Sequence, residues 1–291
     1  MRKTVSNYIL LVFLAIIWGS SFILMKKGLE VYSYTEVAAL RLLIAFISLS
    51  PFIFFAIKEI KKRHWIPVFI VGIFGNMFPA FLFTKAQTVL ESSLTGMLNS
   101  FTPFFTLLIV ILFFNYRVSQ LNILGLIVGL SGVILLAFGD FSLQTIISFN
   151  IFYVILATFF YAVSINVIKY YLFDLDAIHI SALAFLFCGP PMIPYLLGTE
   201  FLSLATTDVG FEALIYVIIL AIIGTSIAII LFNYLLKRSS SIFAASVTYL
   251  IPIVAIFWGL IDGEKILIEY MIGVCMILLG VYLVNKEPFN Q

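Results

Sequence analysis

Residues 8–26 read YILLVFLAIIWGSSFILMK, an apolar run closed by a lysine. A helix rises about 1.5 Å per residue, so about 20 such residues cross the roughly 30 Å hydrocarbon core of a bilayer. The run therefore has the length of one membrane span. Similar runs recur at 37–57, 65–84, 93–114, 120–138, 149–169, 177–197, 213–236, 241–260 and 269–284. They are continuous rather than alternating segments of about ten residues, which predicts helices and not barrel strands. The expected fold is an all-α integral membrane protein with ten transmembrane helices. The least certain boundary is Thr84–Ser92, which is only mildly polar and leaves open one long kinked helix.

Composition agrees. The 291 residues are 63% apolar and 10% charged, against about 45–50% and about 25% in soluble domains. Too few polar side chains remain to coat a water-soluble enzyme, and the same figures exclude a disordered chain. Arg2 and Lys3 before an apolar run, with Gly19, Ser20 and Ser21 behind it, imitate a signal peptide. The apolar stretch continues to Met25, so an uncleaved first span is expected.

Net charge is only +2, and no concentrated basic patch suggests nucleic acid as a partner. Cys188 and Cys275 stand alone in apolar runs, and His64 and His179 are far apart. No metal site and no cofactor are expected. There is no GxxxxGK[ST] to bind ATP. With the N-terminus in the cytoplasm, ten spans return the C-terminus there. The cytoplasmic side then holds Arg2, Lys3, Lys58, Lys61, Lys62, Arg63, Arg117, Lys169, Lys237, Arg238 and Lys286, and the outer side Lys26, Lys27, Lys85 and Lys265. That bias is the expected one for a cell-membrane protein with both termini inside. The run Lys58–Arg63 reads as its strongest anchor, or as a lipid-binding patch.

The two halves of the chain look alike. At nearly constant offset Ser21 matches Ser164, Lys26 Lys169, Pro51 Pro194, Gly75 Gly224, Phe83 Phe232, Pro103 Pro252, Gly125 Gly273 and Gly132 Gly280. Glycine, proline and lysine matches carry the weight, since those residues have backbone or charge consequences. Five spans per half is odd, so the second half enters the membrane from the opposite side. The expectation is two inverted five-helix repeats, residues 8–139 and 149–285, a recurrent plan of secondary transporters.

The stretch Ile16-Ile17-Trp18-Gly19-Ser20-Ser21-Phe22, the Pro-centred segment Asn99–Thr106, its counterpart Thr248-Tyr249-Leu250-Ile251-Pro252, and Gly263-Glu264-Lys265 together resemble the EamA-type transporters of the drug/metabolite transporter superfamily. The resemblance covers about residues 8–285. It implies a central cavity lined by the first four helices of each repeat, with the fifth more peripheral, and the movement of amino acids or other small metabolites, often outward. The chain departs from the pattern where Gly-Glu-Arg usually follows the fourth span. It reads Asn115-Tyr116-Arg117 there, while the second half keeps Gly263-Glu264-Lys265.

Candidate substrate-binding residues follow from polarity within spans. Asn76, Pro79 and Lys85 give the third span an amide, a break and an ammonium. Asn99 precedes Pro103, and Tyr249 precedes Pro252; Pro79, Pro103 and Pro252 are candidate helix-breaking or gating positions. Asn166 and Asn233 are isolated amides, and Trp18 and Tyr161 are candidate stacking surfaces, although aromatics also gather at membrane interfaces. Lys26 and Lys169 either snorkel to the interface or meet a substrate carboxylate. Arg41 needs a partner, and Glu36 is the nearest acid, though five positions align poorly on a helix; an outer-vestibule charge and a structural pair are equally open readings. Gly125-x-x-x-Gly129 permits close helix approach, within the chain or between monomers of a homodimer.

The function expected is a secondary transporter, an exporter of small metabolites with amino acids as the first class to test, working in the lipid bilayer by alternating access. Not being an enzyme is part of that expectation. The alternatives are an integral-membrane enzyme acting on a lipid-like substrate, for which the spans lack clustered acids or histidines, and an uptake permease for another small metabolite.

Overall fold

The structure is a computed structural model that describes residues 2–114, 119–138, 144–266 and 268–285. Arg117, Lys286 and the Asn115-Tyr116-Arg117 stretch lie outside the described residues. Among the described residues all regular structure is helical. The helices are α1 (Arg2–Leu29), α2 (Tyr34–Glu59), α3 (Lys62–Ala86), α4 (Ser92–Phe113), α5 (Gln120–Phe138), α6 (Gln144–Tyr171), α7 (Ala177–Cys188), α8 (Asp208–Arg238), α9 (Ser241–Ile261) and α10 (Ile268–Asn285). Seven of these, α1 to α4, α6, α8 and α9, are long and apolar enough to cross a membrane; the apolar stretches described in α5, α7 and α10 are shorter. Their outer faces are oily: Ile66, Phe113, Phe149 and Val209 are each more than half exposed, the mark of a surface that meets lipid.

Local sequence sets the ends and breaks. Ser33 and Glu36 form a reciprocal cap that starts α2, satisfying two otherwise orphan backbone groups. The chain turns after Ala86 and starts again at Ser92, so the third and fourth runs are two helices and not one. The run expected at 177–197 does divide. Gly189, Pro190 and Pro191 follow α7, and a short helix resumes at Met192. Two successive prolines donate no backbone hydrogen bond and disfavour the α conformation before them.

Pro103 and Pro252 do not end their helices. Each follows a 3-10 turn, Asn99–Phe101 in α4 and Ser246–Tyr249 in α9. The carbonyl four residues before each proline loses its helical donor. Thr102 Oγ1 donates to Asn99 O at 2.9 Å, and Ser100 Oγ donates to Thr248 O at 2.8 Å. The second bond crosses from α4 to α9, so one helix repairs the other's break.

Contacts come in reciprocal pairs. Helix α1 packs on α8 and α9, and α6 packs on α3 and α4; α2 faces α7, α4 faces α9, and α5 faces α10. A Cβ added at Gly75 would overlap Ser164 Oγ, and one at Gly224 would meet Ser21 Oγ at 2.6 Å. Both glycines lie in π-helical turns, Ile73–Met77 and Ile222–Ile227. In the α5–α10 pair, a Cβ at Gly132 would lie 2.6 Å from Gly273 O, and one at Gly280 would lie 2.5 Å from Gly125 O and Gly129 N. The Gly125-x-x-x-Gly129 face thus packs inside the chain against α10.

Candidate substrate cavity

One side of each π turn is sealed by its own polar side chain. Asn76 Nδ2 donates to Val71 O at 3.0 Å, and Thr225 Oγ1 donates to Leu220 O at 3.0 Å, each reaching five residues back. π turns loosen the helix and often occur at functional sites. Here residues of both turns, Gly75, Asn76 and Thr225, line one cavity of about 100 Å³, measured as space open to the centres of water-sized molecules. A single water needs about 10–15 Å³ on that scale, so the cavity suits one small solute.

Its walls come from α1 to α4 and α6 to α9. Trp18, Phe22, Phe83, Tyr161 and Phe232 give it apolar and aromatic faces. Trp18 is fixed by its Nε1 donating to Gly224 O at 3.1 Å and by Phe232, 5.1 Å away between ring centroids. Phe83 stacks on Tyr161 with centroids 5.7 Å apart. Among the lining residues Arg41 alone is charged.

The sequence-derived candidates divide between cavity and surroundings. Trp18, Asn76, Asn99, Tyr161 and Asn233 line the cavity. Asn233 Nδ2 donates to Ser181 Oγ at 2.9 Å, while its Oδ1 and that of Asn99 are buried without a hydrogen-bond partner among the described residues. Asn166 is buried outside the lining set and bonds Thr106 O and Ala162 O. Lys85 is not a lining residue; its ammonium lies 4.4 Å from the centre of the Tyr34 ring. Tyr249 is buried but not lining. Pro79 is buried in α3 just past a π turn.

Arg41 corrects the expected pairing. Glu36 is engaged in the cap of α2, and Arg41 instead turns inward, where its Nε donates to Thr225 Oγ1 at 2.8 Å and its charge acts on the neighbouring Tyr161. The signal was in the sequence: an arginine inside an apolar span is a candidate site residue by default. Thr225 was also missed, although it matches Asn76 when the halves are aligned on Gly75 and Gly224.

Both ends of the bundle are tied by charge. At one end Lys26 Nζ lies 2.8 Å from each of Glu91, Asp262 and Glu264, and Lys27 reaches Glu30 and Asp262. This joins α1 to the start of α4 and the end of α9. Glu264 also accepts from Ser92 N at 2.9 Å and Ser93 N at 3.0 Å. Burial opposes its ionisation, but bonds from Lys26, Ser93 and Ser92 prevail and hold its carboxyl at about 2. Asp262 is likewise pulled below the usual range: burial resists, and Lys26 and Lys27 outweigh it. At the other end Asp174 meets Arg63, Lys61 and buried His64. Partial burial resists its charge, yet Arg63 and Lys61 hold it at about 2. Lys169 donates there to the backbone carbonyls of Leu236 and Ser239, and His179 pairs with Glu59 at 2.9 Å.

Known proteins resemble the chain over almost its whole length. The model of the EamA-like transporter family matches residues 5–138 and 148–286. An uncharacterized transporter of Archaeoglobus fulgidus is 23% identical, over 97% of this chain and 99% of its own. The uncharacterized inner membrane transporter YedA of Escherichia coli is 26% identical over 94% and 91%. A probable amino-acid metabolite efflux pump of Salmonella typhimurium is 22% identical over 92% and 91%. One crystal structure superposes with a TM-score of 0.68 at 16% identity, covering 95% of this chain and 96% of its own; that likeness concerns the fold alone.

Proposed function

The chain belongs to the EamA-like transporter family, and from that premise we propose that it is a secondary transporter that exports small metabolites, amino acids or related compounds foremost. Ten spans form two inverted repeats, 8–139 and 149–285, in the cell membrane with both termini cytoplasmic. The reciprocal Gly75–Ser164 and Gly224–Ser21 contacts support that symmetry, and the single observation carrying the transport reading is the small cavity enclosed by helices of both halves. Alternating access follows physically, because two similar halves make the inward-open and outward-open arrangements near equals in energy. The name of the Salmonella relative supports the outward direction and the amino-acid class.

The test is efflux from cells overexpressing the chain after loading with labelled amino acids and other small metabolites. One chemical class is expected to leave faster than from control cells. Asn99→Ala, which empties an amide from the cavity wall, is expected to cut the excess release at least several-fold at equal membrane expression. Lys85→Ala, outside the wall, is expected to retain it. Release equal to control for every compound sinks the export reading, and accelerated uptake instead assigns the opposite direction.

A further inference from the structure

Arg41 is a buried cation with an unfinished set of partners. It is 8% exposed, and among the described residues no carboxylate lies within ion-pair distance of it. A guanidinium has five N–H donors and no acceptor. Thr225 takes one, and Tyr161 stands close enough for the charge to act on it. Thr225 spends its own proton on Leu220 O, so its lone pairs hold the guanidinium from one side while the rest of the fork is left to the cavity. Charges held in a membrane are ordinarily paired, and a fork of parallel donors matches the two oxygens of a carboxylate.

We infer that Arg41 is the carboxylate anchor of this cavity, and that the site takes small monocarboxylates with an apolar remainder, α-amino acids among them. The inference rests on the transporter reading and names the substrate chemistry of the same site. One cation in the lining matches one negative charge; a phosphate dianion or a dicarboxylate would bring an unmatched second charge into an apolar chamber. The aromatic walls of Trp18, Phe22 and Phe83 suit an apolar remainder. The orphaned Oδ1 of Asn99 suits an ammonium. Tyr34 to Arg41 and Ser92 to Asn99 are equal stretches of helix entering from the same end of the bundle, about 10 Å of rise each. The anchor and this acceptor therefore stand at similar depth.

The test uses the full chain in proteoliposomes, with leucine, methionine and phenylalanine each offered as the acid and as the amide. Wild type is expected to carry at least one acid at least tenfold faster than its amide. Arg41→Gln is expected to lose that preference, slowing the acid at least tenfold more than the amide. Should Arg41→Gln fail to fold, as judged by gel filtration, Arg41→Lys is read in its place. It keeps the charge but not the fork, and is expected to reduce the preference severalfold. Glutamate or phosphate competing better than the monocarboxylates overturns the one-charge match. Acid and amide carried alike, or both slowed alike by either substitution, overturns the anchor and leaves transport standing. No flux of any compound overturns the transporter reading and the anchor together.

Discussion

Glu264→Gln lowers the stability of the folded chain by about 2–4 kcal/mol, somewhat under the usual cost of removing one partner of a buried ion pair. Its side chain is 1% exposed and joins Lys26 to the first turn of α4. Glutamine keeps the volume but brings an amide group that cannot accept as the second carboxylate oxygen does, and it removes the charge facing Lys26. The loss stays below the upper limit because Lys26 keeps Glu91 and Asp262. Thermal unfolding in detergent measures it, with Glu30→Gln as the comparison: Glu30 is largely exposed and pairs with Lys27, so about 0.5 kcal/mol or less is expected there. The pH dependence has a definite sign. The folded carboxyl sits at about 2 against 4.5 unperturbed. Its stabilisation is complete above about 4.5 and is lost as pH falls towards 2. The wild-type advantage over Glu264→Gln therefore shrinks through that window; an advantage constant from pH 7 to pH 3 refutes the assignment.

Gly280→Val is expected to cost more, about 3 kcal/mol or above, beyond ordinary overpacking. The first carbon of the new side chain falls 2.5 Å from the Gly125 carbonyl oxygen and the Gly129 nitrogen. Both are backbone atoms, so no rotamer change relieves the clash and α10 must move off α5. Gly132→Val meets the Gly273 carbonyl at 2.6 Å and is expected to behave as its twin. Gly129→Ala has open space and is expected to cost nothing, because alanine is the better helix former by about 1 kcal/mol. Folded yield and melting temperature in detergent compare the three. A Gly280→Val protein as stable as Gly129→Ala would mean that α5 and α10 do not approach closely.

The helical architecture was legible because length and apolar continuity suffice for it. The break after α7 was harder to see: an unbroken apolar run hid two adjacent prolines whose effect is on the backbone and not on hydropathy. Asn76, Asn99 and Asn233 were legible as cavity candidates because a lone amide in an apolar span is conspicuous. Lys85 was equally conspicuous, but polarity does not tell which side of a helix faces inward, and it found an aromatic ring instead. Arg41 was visible, but its partner was not, since Thr225 stands far along the chain. Glu264 belongs with it: a conspicuous motif residue whose work, uniting α1, α4 and α9 through Lys26 and the start of α4, required the third dimension.

The two matched lysines are not equivalent in their surroundings. Lys26 is clasped by three carboxylates, whereas among the described residues Lys169 holds backbone carbonyls, and the position matching Glu264 in the first half is Tyr116. A perfectly symmetric carrier has no preferred rest position, like an unloaded balance. This one is weighted. To part at Lys26 the bundle must separate a cation from three carboxylates, while at Lys169 it gives up hydrogen bonds to two carbonyls, so of the two matched corners the Lys26 one is the more tightly fastened.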